Sequence, residues 1–386
     1  MNAVARRPLE EVATIERDGI AATEIRRGTL YVGLEHIDSD GAFVDVKPVD
    51  AGELASNKFH FGRDHILFGK LRPYLRKTAR PHFEGICSTD IVPVRPGPEL
   101  DRDYLFHFLR HPKVVEQAVL RCAGANLPRL SPRDLATFEV PVPPLAEQRR
   151  IADILDKADA IRRKRKEALA LTEALLRSTF LDMFGDPVTN PKGWPVKPLA
   201  RLGRITTGNT PSRAVAAYFG DDIEWIKSDN INTPSHYLTR ATEGLSAQGR
   251  AVGRTVPAGS TLMTCIAGSP DCIGNVALTD REVAFNQQIN AVTPDDGVDY
   301  RFLYVLLLVG KRLVQAASTN SMKGMVSKGK LEDVLVPAPP PQAQAQFGEA
   351  FDRVLRLSRR QEAAQSEAQT LFDTTVQRTF TGELAS

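Results

Sequence analysis

Two long stretches with a three- and four-residue apolar beat dominate the hydrophobic pattern. Between about residues 145 and 184, Ile151, Ile154, Leu155, Ala158, Ile161, Leu169, Leu175, Leu176, Phe180 and Met183 recur at helical spacing, with no Gly or Pro inside. Between about 342 and 380 a second stripe carries Phe347, Phe351, Val354, Leu357, Ala364, Ala368, Leu371, Phe372 and Val376. The spacing predicts two helices of roughly 40 residues, about 60 Å each. Their apolar faces are too narrow for burial in a globule, so the pattern predicts that they pack on each other as a coiled coil. Gly185-Asp186-Pro187 stops the first. A region of about 140 residues precedes each helix, with short β-like runs at 31–37, 64–68, 90–94, 261–266 and 275–278 broken by Gly and Pro. Each region ends in a proline cluster, FEVPVPPL at 138–145 and VLVPAPPP at 334–341. Proline removes a backbone donor and holds its predecessor extended, so these clusters predict strand exits and stiff hinges.

The two halves repeat one another. At a shift of 196, Leu135, Val140, Pro141, Pro143 and Pro144 fall on Leu331, Val336, Pro337, Pro339 and Pro340, and Gln148, Asp156, Arg163 and Phe184 on Gln344, Asp352, Arg359 and Phe380. The same shift lays Asp103-Tyr104-Leu105-Phe106 over Asp299-Tyr300-Arg301-Phe302. A shift of 194 lays YVGLEHID at 31–38 over WIKSDNIN at 225–232. A tandem duplication follows, and the predicted fold class is α/β (α+β). Two mixed α/β domains, 1–142 and 187–338, alternate with long helices at 143–186 and 339–386, the helices forming a coiled coil.

Composition adds exclusions. Fifty Lys and Arg against forty-seven Asp and Glu leave a net charge of +3 in 386 residues, so nucleic-acid binding has to come from local patches. The longest apolar stretch, near 302–309, is far short of the roughly 20 residues that span a bilayer, and no signal peptide is visible. The four cysteines, Cys87, Cys122, Cys265 and Cys272, have no C-x-x-C spacing and are expected to be reduced, half-buried thiols. A soluble intracellular protein is expected.

Catalytic motifs are missing from the sequence. It has no G-x-x-x-x-G-K-[S/T] loop, no G-x-G-x-x-G after a strand, and no Asn/Asp-Pro-Pro-Tyr/Phe motif of the kind that holds a base amine beside a methyl donor. His107 and His111 stand four apart but lack a third ligand, and Pro112 predicts a solvated helix end. Asp271-Cys272 and Ser88-Thr89-Asp90 have no His nearby and read as turns.

Binding chemistry is better represented. Between Asn57 and Phe83 lie seven cations and one acid, with Tyr74 among the cations of FGKLRPYLRK at 68–77. No acid occurs from Arg301 through Lys330, while six cations do. Asn286-Gln287-Gln288-Ile289-Asn290 adds amides, which can pair with adenine edges. The run Arg162 to Lys166 on the first helix fits either a solvated coil face or a phosphate backbone.

Taken together these segments resemble the specificity (S) subunit of type I restriction–modification systems. The resemblance rests on VPVPPLAEQRRIADILDKADAIRRKRKEAL at 140–169, LLRSTFLDMFGDP at 175–187, KGWPVKPLARLGRITTGNTPS at 192–212, ILFGKLRPYLRK at 66–77 and TLMTCIAGSPDCIGNVAL at 261–278. The second copy of the P-P-L-x-E-Q-x-x-I-A motif departs at Ala343 and Phe347. The resemblance implies two target-recognition domains, 1–142 and 187–338, each reading half of a split sequence in double-stranded DNA. The central (143–186) and C-terminal (339–386) spacer helices would pair antiparallel and set the gap. It also implies a non-catalytic chain in the cytoplasm, away from membranes. Its partners would be methyltransferase (M) subunits, two of them, and restriction/translocase (R) subunits. Cofactors are expected only in the partners, as S-adenosylmethionine, magnesium and ATP; none, and no metal, is expected in this chain. The candidate DNA contacts are Lys70, Arg72, Tyr74, Arg76, Lys77, Asn126 and Arg129 in the first domain. In the second they are Lys227, Asn230, Asn275, Asn286, Gln287, Gln288, Lys323 and Lys328, with cations on phosphates and amides and some arginines on base edges. The competing class is a coiled-coil assembly scaffold that reads no DNA.

Overall fold

The computed structural model describes residues 4–124, 126–318 and 324–381, with side chains through residue 377. Contacts divide the chain into two units, residues 1–166 with 363–386 and residues 167–362. The two long helices, α1 (Leu145–Phe184) and α2 (Pro341–Thr381), each contribute one stretch to either unit.

In the first unit a four-stranded antiparallel sheet has the order Ala13–Ile15, Ile91–Pro96, Ile66–Gly69, Thr78–Ala79. A five-stranded sheet contains a parallel pair, Thr29–Val32 beside Gly85–Cys87, with Val32 opposite Cys87. The second unit repeats both features. Gly203–Thr207, Ile289–Pro294, Thr261–Thr264 and Val276–Leu278 form the antiparallel sheet, and Ile226 lies opposite Phe285 in a parallel pair. Strand-forming β-branched and aromatic residues fill these runs, and turns close where Gly and Pro stand, as the sequence predicts. The mixed α/β class is therefore observed.

Each unit buries its own end of the helix pair. In the first, Ile151 and Leu155 of α1 share a core with Phe372 and Val376 of α2. In the second, Leu176, Phe180 and Phe184 pack with Phe347 and Phe351. The start of one helix meets the end of the other in both units, so the pairing is antiparallel. Gly185 ends α1 in the left-handed region (φ 77°), where its N–H reaches the Leu181 carbonyl at 2.8 Å, a conformation glycine adopts without strain.

The duplication is visible bond for bond. Gln148 is fully buried; its amide oxygen accepts from Asp101 N at 2.8 Å and its amide nitrogen donates to the Pro143 carbonyl at 2.7 Å. Gln344 makes the same bonds to Asp299 N (3.1 Å) and the Pro339 carbonyl (2.8 Å). Asp101 and Asp299 cap equivalent helices, Arg102–Leu109 and Tyr300–Val309. This corrects the expected register: the shift here is 198, placing Tyr104-Leu105-Phe106 on Phe302-Leu303-Tyr304, all buried. Matching residue letters misaligned a stretch in which packing, not identity, is repeated.

Two further expectations change. His107 and His111 form no solvated helix end; they are 4% and 3% exposed. His107 and Arg80 both hydrogen-bond Asp156 of α1, at 2.8 and 2.9 Å. Burial alone would raise the Asp156 pKa, but these two partners hold it well below the usual carboxylate range. In the basic run on α1, Arg162 and Arg163 are held within the fold, while Lys164, Arg165 and Lys166 are exposed. Arg162 bonds Asp40 (2.9 Å) and Asp159 (2.7 Å), Arg163 bonds Asp159 (2.7 Å), and Lys166 lies 3.4 Å from Asp40. These cations clamp the loop at Asp40 onto the helix. The cysteines are all free thiols; burial pushes Cys87 up to about 12 and Cys265 to about 11.

His111 supplies a pH prediction. Its Nδ1 accepts from Lys113 N at 3.2 Å, capping helix Pro112–Leu120. Burial, with Lys113, Arg76 and Arg6 nearby, pushes its pKa from 6.5 to about 4. The fold thus holds a neutral imidazole where the unfolded chain binds a proton. This stability is complete above pH ~6.5 and is lost as pH falls toward 4. On the order of 2 to 3 kcal/mol should disappear from the first unit over that window. His111→Asn keeps the capping acceptor without titrating. Thermal unfolding at pH 7 and pH 4.5 should show a smaller loss in that variant.

Candidate DNA interface

Three loops meet at one edge of the first unit, next to the end of its parallel strand pair. After Ile66–Gly69 the chain turns through 70–77, where Lys70 N donates to the Asp90 carbonyl (2.9 Å) and Lys70 O accepts from Leu130 N (2.9 Å). Arg72 N donates to the Pro128 carbonyl (2.8 Å), and Arg129 pairs its backbone with both Leu71 and Ala123. The turn 88–90 is tied to the strands by Ser88 N donating to the Val32 carbonyl at 2.9 Å. Segments distant in sequence are thereby fixed into one ridge.

The ridge presents a defined set of side chains. Arg72 (φ 51°) and Arg76 (φ 56°) adopt left-handed backbone on either side of the turn Pro73–Leu75. That costs on the order of 1 kcal/mol each. It leaves Tyr74 51% exposed. Lys70 is half-buried and Arg72 exposed, and among the described residues neither side chain has a hydrogen bond or ion pair. Asn126 is also exposed. Arg129 Nε donates to Asp90 Oδ1 at 3.0 Å, which raises the guanidinium pKa further. Two of the expected contacts have internal work. Lys77 donates to the Leu34 (2.6 Å) and Ile37 (2.9 Å) carbonyls, and half-buried Arg76 donates to the Arg110 carbonyl (3.2 Å). Lys77 therefore ties loops together; its ammonium does not project from the ridge.

The second unit builds the same ridge with other residues. Cys265 N donates to the Gln288 carbonyl (2.9 Å), Val326 N to the Cys265 carbonyl (2.9 Å), and Asn286 N to the Ile226 carbonyl (3.0 Å). These bonds equate Gln288 with Asp90, Val326 with Leu130 and Asn286 with Ser88. Asn286 is 9% exposed and its Oδ1 accepts from Gln288 N (3.0 Å), so it shapes the turn that presents Gln287. Gln287 is exposed, and its amide has no partner among the described residues; Gln288 is half-buried beside it.

Several second-unit candidates also take part in local bonds. Asn230 is buried and accepts from Lys227 N at 3.0 Å, as His36 Nδ1 accepts from Gly33 N in the first unit. Lys227 pairs with Glu243 at 2.8 Å and lies over the Trp225 ring. Asn275 is held by Asn232 and Lys311, and Lys328 lies 3.5 Å from Glu332. Asn230 and Asn275 spend amide bonds on local structure, because turn formation and base recognition use the same chemistry, whereas Lys328 stays exposed beside its ion pair. Lys323 lies outside the described residues. Sequence reasoning missed Asp90, whose carboxylate orients Arg129 from 39 positions away. Only the alignment of turn 88–90 with 286–288 could have suggested it.

No group of three or more His, Cys, Asp or Glu side chains among the described residues is placed to share a metal ion. No helix among them is long and apolar enough to cross a membrane.

Comparison with known proteins agrees with this architecture. A family model for a type I restriction modification DNA specificity domain matches residues 64–171 and 191–367. The specificity subunit of the HindI type I restriction enzyme of Haemophilus influenzae is 34% identical over 141 residues, 36% of this chain and 28% of that protein. The EcoDI specificity subunit of Escherichia coli is 30% identical over 161 residues, 39% of this chain and 36% of that protein. The match therefore spans between 28% and 36% of these two relatives' length. A structure solved in work on complex assembly and conformational transition of the type I R-M system has the same fold. Its TM-score is 0.62 at 22% identity, with 98% of each chain covered.

Proposed function

The chain belongs to the family of type I restriction modification DNA specificity proteins, and from that premise we propose that it reads a split DNA sequence for such a complex. Each unit reads one half through its loop ridge, and the chain itself performs no chemistry. Methyltransferase subunits, two of them, and restriction subunits dock on it in the cytoplasm and act where it places them. S-adenosylmethionine, magnesium and ATP are used by those partners.

One observation carries the reading. The same backbone clasp is built twice, and at its exposed tip one copy presents Lys70, Arg72, Tyr74 and Arg129 while the other presents Gln287. A duplicated scaffold with diverged tips suits a protein that reads two different half-sequences. A scaffold that only assembles subunits has no use for unpaired cations beside an exposed ring.

The test separates phosphate from base contacts. Lys70→Ala and Arg72→Ala should weaken binding to all duplexes and flatten the salt dependence, by roughly 0.9 in log–log slope for each phosphate no longer neutralised. Lys77→Ala, by contrast, should lower stability. Gln287→Ala should act on one half-site alone, by about 1–3 kcal/mol. Binding to matched and scrambled half-sites at two salt concentrations separates the phosphate effect from the base effect, and thermal unfolding reads the Lys77 variant. The decisive control is the chain combined with a methyltransferase subunit. Absence of any sequence-specific methylation would overturn the proposed function.

A further inference from the structure

Arg129 is the most tightly framed side chain on the first ridge. Its own N–H and carbonyl bond Ala123 at 2.9 and 3.0 Å, and the peptides flanking it are tied by Arg72 N to the Pro128 carbonyl and Leu130 N to the Lys70 carbonyl. Asp90 is equally fixed: its carbonyl accepts from Lys70 N at 2.9 Å and its N–H donates to Ser88 Oγ at 3.3 Å. Between these two anchored backbones, Arg129 Nε donates to Asp90 Oδ1 at 3.0 Å.

That single bond has chemical consequences. A guanidinium is planar, so fixing Nε fixes the plane of the whole fork. Bonding through Nε leaves both terminal amino groups without a partner among the described residues, on a side chain that is 46% exposed. Two coplanar donors match the O6 and N7 acceptors of guanine in the major groove. They also match two oxygens of a phosphate, and the neighbouring carboxylate distinguishes the two. Asp90 Oδ2 has no partner among the described residues either; it would repel a phosphate, whereas it can accept from the amino group of the cytosine paired with that guanine or of a neighbouring one.

Resting on the DNA-reading function, we propose that Arg129 and Asp90 form a guanine-reading pair in the first unit. Arg129 is the specificity-determining side chain and Asp90 the positioning residue that aims it. Among the described residues, the second unit's clasp holds no such fork. The clasp equates Gln288 with Asp90 and Met325 with Arg129, since Ile266 pairs with Met325 as Leu71 does with Arg129. This pair therefore bears on one half-site.

The experiment presents the full chain with duplex DNA of randomised sequence and sequences the bound fraction. Arg129→Lys, Arg129→Ala and Asp90→Ala are compared with the unaltered chain. The unaltered chain should select a split sequence with guanine fixed at one position of one half. All three variants should lose preference there by about 5- to 150-fold, the range for one bidentate contact. The other half-site should be retained, which also shows that each variant is folded. Arg129→Lys keeps the charge but not the fork, so its salt slope should be unchanged. A selection that keeps that guanine in Arg129→Lys or in Asp90→Ala overturns the pair while leaving the DNA-reading function standing. An unaltered chain that selects no sequence overturns that function, and the pair with it.

Discussion

Phe180→Ala should destabilise the second unit by about 3 to 5 kcal/mol, a large share of a typical domain's stability. Phe180 is fully buried, with ring centroids 5.1 Å from Phe184, 5.3 Å from Phe347 and 6.0 Å from Phe302. Four rings from α1, α2 and the helix Tyr300–Val309 thus close one cluster, in which neighbours are too bulky to collapse into a void. The loss combines transfer of the ring to water with the cavity left behind. Phe180→Leu, which leaves a smaller void, should cost distinctly less. Hydrogen exchange resolved by residue, alongside denaturant unfolding, checks both: protection should fall in the second unit's core. Equal losses for Ala and Leu would mean that packing at this position is not what stabilises the helix junction.

The second large effect is expected at Gln148, through polar groups left unpaired. Its side chain satisfies Asp101 N (2.8 Å) and the carbonyls of Glu99 (2.9 Å) and Pro143 (2.7 Å), all from a fully buried position. Gln148→Leu keeps the volume and strands three backbone groups. At about 1–3 kcal/mol for each unsatisfied buried group, a loss of at least ~3 kcal/mol follows. Gln148→Glu is a sharper probe: one oxygen still accepts from Asp101 N, but the other faces two carbonyls in place of the amide donor. It should be as damaging as Leu at neutral pH and should partly recover when the carboxyl is protonated. Urea unfolding at pH 7 and pH 5 measures this. An unaffected Glu variant would show that the amide donor contributes nothing. Gln344, which makes two of the three equivalent bonds, should show the same pattern at smaller size in the second unit.

Much of the architecture was legible before any coordinates. The two long helices were predicted within a residue or two, because a stripe of Ile, Leu and Phe at three- and four-residue steps without Gly or Pro has few other solutions. Duplication was equally legible where identity survived, as at Gln148 and Gln344 or the proline clusters, since those residues fill the same backbone geometry twice. The mixed α/β class followed from short β-branched runs between turn residues. The candidate site was legible only as composition. A basic loop at 70–77 and an amide run at 286–290 were visible, but not which of their members point outward.

That choice belonged to tertiary structure. Lys70 and Lys77 are indistinguishable as letters, yet one has no partner among the described residues and the other is held by two carbonyls 43 and 40 positions away. Asn230 and Gln287 are both amides in turns; one is buried to shape its turn and the other is presented by it. In sequence His107 reads as part of a solvated helix end and the basic run on α1 fits either a coil face or a phosphate contact, because the partners Asp156 and Asp40 lie 49 and more than 120 residues away. Periodicity is a local property, and a sequence displays it directly. Whether a charge or an amide remains available for a ligand depends on the groups that folding brings beside it, and those contacts are non-local.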